Sequence, residues 1–99
     1  MKYKISNKAK YDIENIWLYT FENWSLKQAD RYIDLIFDKI EYISKNPESG
    51  QNYNDLMNGY FCFKIKSHLI FYKIDSNIDE VYIIRILHQR MDIETRLIE

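Results

Sequence analysis

The sequence predicts a single α+β domain. It reads as an N-terminal strand, an antiparallel helix hairpin and a three-stranded antiparallel meander sheet, with a short C-terminal helix or tail. Three observations carry this prediction. Apolar residues recur at spacings of three and four between positions 9 and 43, the period of a helix with one buried face. From position 60 to position 88 the pattern changes to alternation, the period of a strand. Between the two lies PESGQNYND, the one polar, turn-rich loop of the chain. Two glycines and one proline in 99 residues leave little material for linkers, so residues 1–99 are expected to form one domain, long enough to bury a core of its own.

In KYKIS, Tyr3 and Ile5 alternate with Lys2 and Lys4, which predicts a short first strand. Ser6 or Asn7 then offers a helix N-cap. Ala9, Ile13, Ile16, Trp17, Thr20 and Trp24 share one helical stripe, while Lys10, Asp12, Glu14 and Asn15 are expected to face away; this helix ends near Asn23. In WSLKQA, Ser25 can cap the backbone at Gln28, Gln28 can reach back, and Trp24 can pack on Ala29 as a hydrophobic staple. The second stripe runs Ala29, Ile33, Ile36, Phe37, Ile40 and Ile43, and Lys45, Asn46 and Pro47 end it. So short a turn makes the two helices antiparallel. The segments YFCFKIK, HLIFYKI and VYIIRILH are parted only by Ser67 and by DSNIDE, connections brief enough for hairpins.

Both parities of the last two segments carry large apolar groups: Leu69 and Phe71 on one, Ile70, Tyr72 and Ile74 on the other. The helix hairpin covers one sheet face and leaves the other for a partner, since large exposed apolar patches mark interaction sites.

Composition excludes several classes. A formal charge of −1 gives no general basis for tight nucleic-acid binding, which rests on many Lys and Arg contacts to phosphate; such a function would need a local patch. The longest apolar runs, such as VYII and LIFY, fall far short of the roughly 20 residues that span a bilayer. One cysteine and an N-terminus without an apolar signal-like run point to the cytoplasm. No metal or cofactor is expected, because His68, His88 and Cys62 lack ligand spacing and no glycine-rich phosphate loop occurs. Cys62 reads as a small buried hydrophobe, and the carboxylates Asp12, Glu14, Asp79 and Glu80 read as surface charges.

The stretch IIRILHQRMD and the C-terminal residues after it gather Arg85, His88, Arg90 and Arg96. Cleavage of RNA by attack of a 2′-hydroxyl needs a base, an acid and a cation near the phosphate. Arg85 and His88 fit such roles, with Lys64 as a third candidate and Lys66 as added charge. The plainer reading has Arg85 snorkelling from the sheet, His88 ending the strand, and DIETR opening a last helix with Asp92 as its N-cap.

The segments YKISNKAKYDIENIWLYT, NWSLKQADRYIDLIFDKIEYISKNPESG, SHLIFYKI and VYIIRILHQRMD, taken in that order, resemble the superfamily of bacterial toxins that includes ParE and RelE, and the ParE branch most. The resemblance implies the same strand, helix hairpin and antiparallel sheet. It also implies a cognate antitoxin lying across the toxin's apolar surface, for which Trp17, Tyr60, Phe61, Phe71 and Tyr72 are the candidate contacts. In the ParE branch it implies a protein inhibitor of DNA gyrase with no chemistry of its own, and Arg85, His88, Gln89, Arg90 and Arg96 are the candidate target contacts. In the RelE branch it implies an endoribonuclease that cuts messenger RNA at the ribosome, the role matched here by Arg85, His88 and Lys64. Against that branch, no aromatic acid follows His88 and the chain is slightly acidic. A third expectation is a family member that only binds and buffers an antitoxin.

Overall fold

A computed structural model describes all 99 residues. Strand β1 (Lys2–Ile5) leads into helices α1 (Asn7–Asn23) and α2 (Leu26–Lys45). Four strands come next, β2 (Gln51–Asn52), β3 (Phe61–Ile65), β4 (His68–Asp75) and β5 (Glu80–His88), and helix α3 (Ile93–Ile98) ends the chain. The expected meander is present as β3, β4 and β5, but it is the centre of a mixed five-stranded sheet of order β1-β5-β4-β3-β2. The strand β1 runs parallel to β5, with Ile5 opposite Ile83, and the two-residue β2 extends the other edge inside the stretch read as a loop.

The helix ends are those the local sequence dictates. Ser6 Oγ accepts from the Ala9 amide at 3.0 Å and Ser25 Oγ from the Gln28 amide at 3.1 Å, each satisfying one of the orphan donors of a first turn. The expected staple is absent: Trp24 is 70% exposed rather than packed on Ala29. The main core lies between the hairpin and one sheet face, where Ile13, Ile36, Ile40 and Ile43 meet Ile70, Tyr72, Val81 and Ile83.

The other sheet face is not open, which corrects the expectation that a partner alone would shield it. Phe71 and Leu87 are fully buried there with Cys62, under Leu97 and Ile93 of α3 and under Tyr53, Met57 and Tyr60 of the preceding loop. Burial among these apolar groups raises the Cys62 thiol pKa to about 11. The sequence places Tyr53 in the polar loop, Tyr60 at the start of a strand and the C-terminus in a short helix or tail; in the fold residues 53–60 and α3 close over this face as a lid.

A register shift divides β5. Phe71 pairs with Arg85 but Tyr72 with Ile83, leaving Ile84 as the extra residue of a bulge. Val81, Ile83 and Ile86 therefore all reach the helix-side core, which strict alternation would forbid.

Candidate functional site

Strand β1 stops at Ile5, so beyond the bulge the edge of β5 that faces away from β4 has no strand beside it. Groups at the start of α1 and within it satisfy this bare edge. The Ser6 amide donates to the Ile83 carbonyl at 2.9 Å and its hydroxyl to that of Ile84 at 2.6 Å. The Ile86 amide donates to Asp12 Oδ2 at 3.0 Å. Asp12 also holds Arg85 by two charge-assisted bonds, Nε to Oδ2 at 2.9 Å and Nη2 to Oδ1 at 3.0 Å, the bidentate geometry that makes such pairs strong. The Arg85 Nη1 donates to the Arg96 carbonyl at 2.8 Å, tying α3 into the same joint.

Two expectations are overturned here. Asp12 is buried rather than a surface carboxylate, and Arg85, expected to be a free cation at the strand end, is only 8% exposed and paired with Asp12. Its pKa is pushed further up, first by the bonds to Asp12.

Beside this joint, a cavity of about 1260 Å³ opens between α1, the first turns of α2, the β3–β4 turn and the end of β5. At one pole stand His68, His88, Tyr32 and Lys66. His68 and His88 are opposite residues on β4 and β5, their rings edge to face with centroids 5.2 Å apart. Tyr32 Oη lies 2.5 Å from His68 Nδ1. Burial, then the proximity of His88, lowers the His68 pKa to about 4, so it is neutral at pH 7; burial raises that of Tyr32. The Arg90 amide donates to His88 Nδ1 at 3.1 Å, which leaves the proton of a neutral His88 on Nε2.

Of the residues read as a ribonuclease constellation, only His88 is available at this pole. Arg85 is neutralised by Asp12, and Lys64, exposed on β3, is not among the cavity's residues. The target-contact set is partly gathered: His88 is half-buried, Gln89 and Arg90 are exposed in the turn after β5, and Arg96 is exposed on α3, with His88 and Arg96 both on the cavity wall. The antitoxin set is scattered. Trp17 is half-buried on α1, stacked on Phe21 and donating Nε1 to Asp30 at 3.0 Å. Phe61 stacks on Tyr72 on the helix side, whereas Tyr60 belongs to the opposite side. Phe71 and Tyr72 are fully buried. They hold the fold and present nothing to a partner.

Sequence reasoning missed Tyr32, Asp12 and the pairing of His68 with His88. Tyr32 falls between the apolar stripe and the polar face of α2, and the two histidines are joined only by β4–β5 register. One signal was present: Lys66 sits in the two-residue turn between β3 and β4.

Residues 3–93 match the family described as ParE toxin of type II toxin-antitoxin system, parDE. Toxin ParE1 of Caulobacter vibrioides is 35% identical over 95 residues, covering 96% of both chains. Toxin ParE1 of Mycobacterium tuberculosis is 32% identical over 96 residues, covering 97% of both. Among solved structures, a chain of the chromosomal ParDE system from P. aeruginosa superposes with a TM-score of 0.75 at 16% identity, over 89% of this chain and 95% of that one. A chain of the RelBE2 toxin–antitoxin complex from Mycobacterium tuberculosis gives 0.69 at 17% identity, over 88% and 95%. The fold is thus shared with both branches. By its family match and its likeness along nearly the whole length to toxins of that name, the chain belongs to the ParE toxins of type II toxin–antitoxin systems.

Proposed function

We propose that this ParE toxin inhibits DNA gyrase by protein contact, through the turn after β5, and is neutralised by a cognate antitoxin. The observation that carries the reading is the fate of Arg85. Its commitment to Asp12 and the Arg96 carbonyl, and the position of Lys64 away from the cavity that Arg85 and His88 line, favour this reading over a ribonuclease. What the end of β5 offers instead is a set of polar groups, His88, Gln89, Arg90 and Arg96, suited to a protein target, where Arg side chains commonly dominate binding.

The antitoxin reading is supported by the P. aeruginosa ParDE and M. tuberculosis RelBE2 neighbours. It is also supported by apolar side chains crowded at the hairpin turn. Leu18, Phe21, Trp24 and Leu26 are all exposed there, beside the half-buried Trp17. This patch, rather than the sealed sheet face, is where a covering segment removes most apolar area from water, with Tyr60 and Phe61 as the sheet-side candidates.

Purified protein in a gyrase supercoiling assay, run beside a translation extract with mapping of messenger RNA ends, tests the proposal. Inhibited supercoiling with intact messenger RNA is expected. Normal supercoiling with site-specific cuts would assign the protein to ribonucleases, and no effect in either assay would leave antitoxin binding as its role.

A further inference from the structure

We infer that Tyr32 is a positioning residue for the proposed target contact: acting through His68, its hydroxyl fixes the His88 ring and so presents Gln89 and Arg90 in one conformation. Its effect on inhibition rests on the gyrase reading above, whereas its effect on the turn can be measured without any target.

Gln89 and Arg90 are exposed, and their backbone is held by polar groups close by. The Gln89 amide donates to the Ser67 carbonyl at 2.8 Å, the Arg90 amide to His88 Nδ1 at 3.1 Å, and the Met91 amide to the His88 carbonyl at 3.0 Å. Two of these three bonds end on His88, and one of them ends on its ring. A rotation of that ring would release the Arg90 amide to water. The ring rests edge to face against that of His68, its opposite number across the β4–β5 pair. His68 is held in turn by Tyr32 Oη, 2.5 Å from Nδ1. Tyr32 stands on α2, which Ile36, Ile40 and Ile43 anchor in the main core, so the relay connects the turn to the most rigid part of the molecule. The Ser67 carbonyl is itself set by a tight turn, in which Lys66 takes φ of +49°, a conformation that glycine occupies without cost.

Packing alone does not call for these polar groups. Burial raises the Tyr32 pKa and lowers that of His68, which shows that both have been drawn out of water. Apolar side chains of similar volume would fill the same space without the cost of desolvation. A hydrogen-bonded pair supplies what an apolar pair lacks, a direction: each donor and acceptor selects one ring orientation. A turn ordered before it meets a partner loses less freedom on binding and so binds more tightly.

Tyr32→Phe removes the hydroxyl and keeps the ring. Amide hydrogen exchange and NMR of the histidine ring nitrogens, recorded on the full chain, read the turn directly. In the variant the Gln89 and Arg90 amides are expected to exchange roughly fivefold faster, the worth of about one hydrogen bond, while the amides of α2 and β3 keep their rates. At about pH 8, where an ordinary imidazole is neutral, His88 should pass from the Nε2–H tautomer to a mixture of both. A hydroxyl with a merely structural role would speed exchange across the sheet and leave that tautomer unchanged. In the supercoiling assay the variant is expected to need roughly fivefold more protein for the same inhibition. Tyr42→Phe, on the same helix but against Phe63, should change none of these readouts. Exchange and tautomer equal to those of the wild type would overturn the inference, as would equal potency of Tyr32→Phe beside a wild type that does inhibit. A wild type without effect on gyrase would remove the target reading alone, because exchange and tautomer still decide whether Tyr32 positions the turn.

Discussion

Asp12 does three things with one carboxylate: it holds Arg85 twice and terminates the bare edge of β5 at the Ile86 amide. Removing one member of a buried pair strands the other, a cost of about 3–5 kcal/mol, whereas replacing both by apolar groups is often near neutral. Asp12→Ala is therefore expected to lose about 3–5 kcal/mol in urea unfolding, and Asp12→Leu with Arg85→Met should recover much of that loss. A double variant no more stable than the single one would show that the Ile86 amide, not the ion pair, dominates. The position could not be read from the sequence. Counting along α1 places residue 12 off the apolar stripe, which correctly says that it misses the main core. What it cannot say is that β1 ends early enough for α1 to lean over an unpaired strand edge.

Elements whose ends are fixed locally were legible. Ser6, Ser25 and Asp92 cap the three helices as their positions suggest, each accepting from an amide three residues on. The alternation of β3, β4 and β5 announced their existence, but not the Ile84 bulge or the parallel partner of β1, both set by contacts far apart in sequence. The stretch between α2 and β3 shows why a polar segment need not be a free loop. Tyr72 Oη donates to the Pro47 carbonyl and accepts from the Gly50 amide, both at 2.9 Å. A Cβ at Gly50 would collide with that phenol. Tyr72→Phe leaves two backbone groups without a partner and is expected to cost about 1–3 kcal/mol, lowering the thermal midpoint by circular dichroism by roughly 4–8 °C per kcal/mol. An unchanged midpoint would mean that water replaces the hydroxyl freely.

At the scale of the whole molecule, the cavity and the sealed second face come from parts that touch only after folding: α3 meets β5 through Arg85, and α2 meets the start of β4 through Tyr32 and His68. Stability should report that assembly. His68 has a folded pKa of about 4, below its ordinary value of 6.5, so the folded state binds fewer protons than the unfolded chain between those values. Its contribution is complete above about pH 6.5 and is lost progressively as pH falls toward 4. After allowance for partial exposure the loss is on the order of 2 kcal/mol. His68→Gln should flatten the unfolding free energy across that window, and an equally steep profile would place the pH dependence elsewhere.

The proposed action by contact rests on the exposed polar groups after β5, set on a scaffold whose nearby arginine is already committed to Asp12. The direct measurement is a dose–response of gyrase supercoiling with the wild-type protein and with a His88→Ala, Gln89→Ala, Arg90→Ala variant whose fold is verified by circular dichroism. The wild type is expected to inhibit and the triple variant to require at least about tenfold more protein, as the loss of interface anchors predicts. A wild type without effect, or a variant of equal potency, would contradict the account.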